Sequence, residues 1–445
     1  MMIQNDLQTI ILAAGKGSRM TQLLFGKPKC LLPIANKPMI QYTLELLIRS
    51  NIKETIILVL DNEEELIKSS IHKLGLEIVI TYVTITSHND TATADSLRAI
   101  KDQIMKDVLI LTCDVVTDHN LNEFFQLYRL NNSTFQCFLS AINSEKENQI
   151  PARKLNYTKE FDIIGLDVNI PNRLVLHEPD VMFCDNVPLK RSFMKKCSNF
   201  KMYTNLTDVH IYIFKNWTLN YLEHKESIKS IKADFVPSII RKQFRHQQKP
   251  DDNSGVKQRE TEKHMFDFVQ NSEMTTILTR LQSGDLHCDP KPGQYPESLI
   301  KCFAYQADSG YCIRVNNWVQ FCEANRVIMN KLRSTGMNHV RSEMIKSNID
   351  GLIGTATSVG EKCAIKRTVI GSNCKIGDKV KLTNCILLDN VTIGEESIIQ
   401  GSVICYDVAI GNNVQIKECI IGPRKKIAAF GSFTNESLTE EMLDL

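Results

Sequence analysis

Through the last fifth of the chain an apolar residue returns every seventeen positions. Ile353, Ile370, Leu387, Ile404 and Ile421 form one series, and Val359, Ile376, Ile393, Ile410 and Ile427 a second; Ile365, Leu382, Ile399 and Ile416 form a third. Within a repeat the steps are six, six and five, with glycine after the apolar position at Gly354, Gly360, Gly371, Gly377, Gly394, Gly411 and Gly422. Few architectures tolerate such a period. Hexads with glycine at the corners predict an all-β parallel β-helix with three flat faces, one of them a residue short. Coils stacked about 4.8 Å apart give roughly four to five turns and a prism about 20 Å long. Such prisms offer packing and assembly surfaces.

The first 245 residues read differently. Apolar runs at 9–14, 55–60, 77–85 and 108–112 are strand candidates. Between and after them, 37–50, 94–104 and 118–130 carry apolar residues at helical spacing, with Pro38 near the start of the first and Asp118 as an N-cap candidate for the third. The alternation predicts an α/β, doubly wound, mainly parallel sheet with its ligand site beyond the carboxyl ends of the strands. The expected organisation is therefore this domain over 1–245, a flexible charged loop over 246–264, a connecting hairpin and helix region over 265–350, the β-helix over 351–433 and an acidic tail over 434–445. The hairpin is expected from Cys302–Tyr305 and Tyr311–Val315 around a Gly-containing loop. The helix 317–332, striped by Trp318, Phe321, Cys322, Ile328, Met329 and Leu332, is expected either to pack on its own domain or to dock a partner.

Net charge is +2, from 53 basic and 51 acidic residues, which gives no reason to expect direct nucleic-acid or membrane partners recruited by charge. The N-terminus lacks the basic and apolar regions of a signal peptide, and no apolar run is long enough to span a bilayer. The 14 cysteines never form C-x-x-C and fall mostly in apolar strands, as buried thiols of a cytoplasmic, cytosolic protein would.

The stretch Thr9–Pro33 carries the chemistry. A buried strand runs into Gly15-Lys16-Gly17-Ser18-Arg19, where glycines let backbone N–H groups approach a phosphate and Arg19 and Lys29 can neutralise it. A second buried strand ends at Asp114, a placement suited to Mg²⁺. Leu-Ala-Ala-Gly-x-Gly-Ser-Arg followed by Pro28-Lys29 resembles the signature of sugar-phosphate nucleotidyltransferases. That resemblance implies phosphate contacts at Gly15, Gly17, Arg19 and Lys29 and a metal at Asp114. Other elements depart from it. The family's Gly-Thr-Ala is Ala92-Thr93-Ala94 here, where the added Cβ crowds the base and restricts φ. Its Phe-x-Glu-Lys-Pro is Leu176-His177-Glu178-Pro179, without the lysine. Its Asn-x-Gly-x-Tyr is Asp208-Val209-His210-Ile211-Tyr212, so that His210 enters the sugar's space and Asp208 repels an anionic phosphate. Each such loss costs about 2–4 kcal/mol of transition-state stabilisation. Acyltransferase chemistry on the prism is excluded by the lack of any histidine after His339.

A degraded nucleotidyltransferase domain followed by a hexapeptide β-helix resembles the nucleotidyltransferase-like subunits of eukaryotic translation initiation factor 2B, of the gamma type. The matching residues are Ala94–Arg98, Thr207–Tyr212, Val236–Phe244, Glu323–Arg326, Ile365–Gly371 and Ile399–Cys405. The epsilon type adds a C-terminal helical-repeat domain, which is not expected in a chain that stops at Leu445. The resemblance implies a left-handed β-helix and a non-catalytic subunit of a guanine-nucleotide exchange complex. It implies direct pairing with the epsilon subunit, alpha, beta and delta subunits as further members of a decamer, and translation initiation factor 2 as substrate. On this reading there is no catalytic residue and no cofactor; Gly15, Gly17, Arg19 and Lys29 are a vestigial phosphate loop and Asp114 a vestigial metal residue. The alternatives are an active nucleotidyltransferase joining an NTP to a hexose 1-phosphate through Arg19, Lys29 and Asp114, and a ligand sensor that binds at the loop without reaction.

Overall fold

A computed structural model of the chain describes residues 6–24, 26–86, 92–141, 162–179, 189, 191–197, 199–244, 265–268, 300–307, 310–334 and 349–438. The 246–264 loop and the tail beyond residue 438 lie outside them. The first half alternates β1 (Leu7–Leu12), α1 (Met39–Arg49), β2 (Glu54–Leu60), α2 (Glu64–His72), β3 (Val79–Ile85), α3 (Thr93–Ala99), β4 (Asp107–Thr112), β5 (Val115–Thr117), α4 (Asn122–Asn131) and β6 (Phe135–Ala141). A smaller antiparallel sheet follows, from β7 (Ile163–Asp167), β8 (Leu174–Glu178) and β9 (Phe200–Tyr203). Next come β10 (Leu206–Phe214), α5 (Asn216–His224), α6 (Val236–Lys242), β11 (Cys302–Gln306), β12 (Cys312–Arg314) and α7 (Trp318–Ser334).

The main sheet has seven strands in the order β11-β6-β10-β4-β1-β2-β3. All neighbours run parallel except β10, which is antiparallel to both β4 and β6. Its central strands are apolar on both faces because helices cover both: Ile10 and Ile110 point into one core with α3 and α5, Ile11 and Leu111 into another with α1 and α4. This is the doubly wound architecture expected, with the carboxyl ends of β1 and β4 side by side.

Two local expectations are corrected. Cys302–Gln306 and Cys312–Arg314 do not form a hairpin. The first joins the main sheet parallel to β6, and the second pairs antiparallel with β5. A strand–loop–strand pattern cannot by itself reveal that each strand has a better partner far away in sequence. Asp118 does not cap α4, whose N-cap is Leu121. Its carboxylate instead accepts the Tyr311 N–H at 2.9 Å and pairs with Lys331 Nζ at 3.2 Å, tying the loop before α4 to α7.

From Ile349 to Leu438 the chain forms a parallel prism, which runs past the expected limit at 433 and takes in the first residues of the expected acidic tail. Three parallel ladders climb it, one through Val359, Ile376, Ile393, Ile410 and Ile427, one through Ile365, Leu382, Ile399, Ile416 and Phe433, and one through Ile353, Ile370, Leu387, Ile404, Ile421 and Leu438. All point into one interior cluster. The corner assignment of the glycines needs correction. The residues turning the corners with positive φ are mostly asparagines and charged residues, such as Asn373, Lys379 and Asn384, one period before Asn390, Glu396 and Gly401. The glycines after the ladder residues are required for stacking: a Cβ on Gly371 would lie 2.6 Å from the Leu388 carbonyl carbon of the next coil. Gly394→Ala, whose Cβ would lie 2.6 Å from Gly411 backbone, is expected to destabilise the prism by about 1–3 kcal/mol in urea denaturation.

One outer face of the prism is apolar, and it is covered by the chain itself. Leu352, Val369, Ile386 and Val403 pack in a cluster with Phe321, Ala324 and Ile328 of α7, and with Met20, Leu24, Ile34 and Tyr42 from the segment after the glycine loop. Asn36 Nδ2 donates to the Ile370 carbonyl at 2.8 Å, and Lys27 Nζ sits 3.9 Å from the Tyr406 ring centroid. Of the two expectations for α7, packing on its own chain is the one observed. The Glu323–Arg326 stretch also gains a reason: Asn325 Oδ1 accepts the backbone N–H of Ala35, which holds a turn at φ +48°.

Candidate functional site

β1 ends at Leu12, and the chain turns through Ala13–Gly17 before a short 3₁₀ turn at Ser18–Met20. Gly17 adopts φ +63°, where a Cβ would collide with the Leu24 side chain; glycine is required there. Gly15 has open space around its Cα and ordinary φ, so it leaves room for a ligand rather than satisfying the turn. The loop forms one wall of a cavity of about 340 Å³ at the carboxyl ends of β1 and β4.

Gly15, Gly17, Arg19, Lys29 and Asp114 all line this cavity, so the residues singled out in the sequence do converge. Lys16, Thr93, Ser96, Lys232, Arg314 and Asn316 line it as well and were missed. Arg314 had a readable signal: in Tyr-Cys-Ile-Arg-Val it shares a strand face with buried Cys312, so a charge there needs a buried counter-ion.

That counter-ion is Asp114. Lys29 Nζ lies 2.5 Å from its Oδ2 and Arg314 Nε 3.5 Å from the same oxygen, and Lys29 also donates to Asn316 Oδ1 at 3.1 Å. Burial alone pushes the Asp114 carboxyl pKa up, but Lys29 and then Arg314 outweigh it and hold the group well below the usual carboxylate range. The expected metal residue therefore faces cations of its own chain. Mg²⁺ needs only one or two carboxylates beside water and phosphate oxygens, but here Lys29 and Arg314 both already lie against the same Asp114 oxygen. These residues do not fit a Mg²⁺ site. On the opposite wall Lys232 is held by Asp162 at 2.9 Å.

The sugar elements are reorganised. Asp208 does not line the cavity. It is buried, takes a 2.8 Å hydrogen bond from the Tyr212 hydroxyl on Oδ2, lies 3.0 Å from His177 Nε2, and accepts the His210 N–H on Oδ1 at 2.9 Å. The expected repulsion of phosphate by Asp208 is thus corrected, because its charge is turned inward and compensated. Glu178 is likewise bound to Arg241 at 2.6 Å. His210 does line the cavity, at φ +59° where the related motif has glycine, and such a conformation costs a non-glycine residue about 1–3 kcal/mol. Ala92 needs a further correction: its φ of −76° is ordinary, so alanine adds no backbone strain, and it caps α3 outside the cavity wall.

Burial, followed by the Arg314 charge, pushes the His210 pKa well below its usual value, so the folded state holds it neutral. The unfolded chain takes up that proton below about pH 6.5, so stability rises with pH through this window and is lost as pH falls beneath it, by up to about 1.4 kcal/mol per unit. Denaturant midpoints measured from pH 7 to 5 are expected to fall less steeply in His210→Asn than in the native chain.

Fold and cavity define a nucleotidyltransferase-like domain joined to a hexapeptide β-helix. Family models agree: the nucleotidyl transferase family matches residues 8–149, and the left-handed β-helix (LbH) domain of eIF2B subunit epsilon matches 330–430. Within that class the chain is similar to the gamma subunits of translation initiation factor eIF2B. It is 27% identical to the gamma subunit of Dictyostelium discoideum over 409 residues, 84% of this chain and 89% of that one. With the gamma subunit of Caenorhabditis elegans it shares 30% identity over 246 residues, 54% of this chain and 59% of that one. Mannose-1-phosphate guanylyltransferase catalytic subunit beta of Drosophila melanogaster matches at 24% over 246 residues, 54% of this chain and 56% of that one.

Proposed function

We propose that this chain is a non-catalytic subunit of the eIF2B exchange complex, pairing directly with the epsilon subunit to promote exchange of GDP for GTP on translation initiation factor 2. In this proposal it works in the cytosol, within a decamer that also contains alpha, beta and delta subunits. The likeness to named gamma subunits along most of the chain supports the reading. The observation that carries the non-catalytic part is the sugar side of the cavity: of the carboxylates of the two sugar elements, Asp208 is held by buried His177 and Tyr212 and Glu178 pairs with Arg241 at the surface, and neither lines the cavity. No helix among the described residues is long and apolar enough to cross a membrane.

Co-expression with the epsilon subunit tests the pairing: a stable complex that improves recovery of this chain is expected, and a monodisperse chain indifferent to epsilon contradicts it. The second reading, an active nucleotidyltransferase, draws on the retained Gly17 turn and the cationic cavity wall. Incubation with Mg²⁺, GTP and mannose 1-phosphate is expected to release no pyrophosphate, in the native chain or in His210→Gly, which reopens the space beside the loop. Turnover lost in Arg19→Ala would favour the enzyme.

A further inference from the structure

The Asp114 cluster lies between two parts of the molecule that no covalent neighbour joins closely. Asp114 follows β4, in the middle of the N-terminal sheet; Arg314 and Asn316 follow each other into α7, which carries the apolar face of the β-helix. Four contacts converge there. Arg314 pairs in register with Val115, the Val315 N–H donates to the Asp114 carbonyl at 2.7 Å, Arg314 Nε approaches Asp114 Oδ2, and Lys29 bridges Asp114 to Asn316. The Asn316 backbone N–H in turn donates to Gln320 Oε1 at 2.9 Å, in the first turn of α7.

We infer that Asp114 has exchanged a metal for two cations of its own chain, and that Lys29–Asp114–Arg314 is an ionic staple fixing segment 312–316, and with it α7 and the β-helix, to the N-terminal sheet. The geometry leaves little for a hydrated ion. Oδ2 lies against both Lys29 Nζ and Arg314 Nε, so an incoming ion would meet two cations at that oxygen. A divalent cation at this carboxylate would have to displace both side chains, and Arg314 is anchored by its place in the β5–β12 ladder. The staple also accounts for an intact Pro28-Lys29 without requiring catalysis: the lysine is retained as a strut. This inference concerns the joint within the chain and does not depend on pairing with epsilon, so either can fail alone.

The test uses the full chain and Mn²⁺ as probe, with bound metal counted by electron paramagnetic resonance. The native protein is expected to take up no stoichiometric Mn²⁺ at sub-millimolar concentration, and to match Asp114→Asn. Amide hydrogen exchange is read in the same samples. Asp114→Asn removes the carboxylate charge that Lys29 and Arg314 share and is expected to speed exchange across 315–334 by more than about tenfold, while 55–60 in the distant half of the sheet changes less. One Mn²⁺ per native chain, abolished in Asp114→Asn, would overturn the inference, as would unchanged exchange across 315–334. Should Asp114→Asn fail to fold, the native Mn²⁺ titration still decides the metal question. Arg314→Gln, which keeps the Lys29 pair, then reads the staple by the same exchange experiment.

Discussion

Asp208→Ala is expected to lower the free energy of unfolding by about 3–5 kcal/mol, measured by urea denaturation of the purified chain. Removing this carboxylate leaves the Tyr212 hydroxyl and His177 Nε2 buried without their partner, and frees the His210 N–H that fixes the left-handed backbone beside the cavity. Asp208→Asn separates charge from hydrogen bonding: its amide oxygen can still accept from Tyr212, so it is expected to lose less. The acid limb adds a second check. Burial pushes the Asp208 pKa up, but the His177 hydrogen bond and charge lead the terms that bring it below the usual carboxylate value. A depressed folded pKa contributes stability that is present above the unfolded value, near pH 4, and is lost as pH falls below it. The loss should vanish in Asp208→Asn. A carboxylate retained for a sugar substrate instead would be dispensable for stability.

Phe321→Ala is expected to cost a similar amount, about 3–5 kcal/mol, but in a different place. Phe321 is wholly buried in α7, in the cluster that joins the segment after the glycine loop to the outer face of the β-helix. Its loss empties the seam between the two halves and leaves each half's interior intact. Calorimetry should therefore resolve one native transition into two, with the ladder interior around Ile370, Leu387 and Ile404 retained in the later one. A single transition merely shifted downward would mean that α7 is a local packing element only.

How much of this was legible in the sequence depended on the range of the interactions. The prism was readable because each ladder position recurs every seventeen residues, and a repeated error would have had to occur in every coil. The glycine loop was readable because Gly17 answers to a local backbone demand. Partners decided by long-range contact were not. Cys302 and Cys312 sit on strands ten residues apart, yet pair with Phe135 and Thr117. Asp118 looks like a helix cap, but the Tyr311 N–H and the Lys331 ammonium, 193 and 213 residues onward, claim its oxygens. Asp114 was placed at the right strand end, but its ion pairs were not readable, since its neighbours Lys29 and Arg314 come from opposite ends of the domain. His210 carried a usable hint: histidine in a motif position otherwise held by glycine marks a site whose ligand space has been surrendered.

In the proposed function a nucleotidyltransferase-like fold serves as scaffold for an exchange factor. The most direct measurement is the rate of labelled GDP release from translation initiation factor 2, with the epsilon subunit alone and with epsilon plus this chain. Release is expected to be faster when both are present, with none above background from this chain alone. Equal rates with and without the chain, at concentrations where it is bound to epsilon, would contradict it.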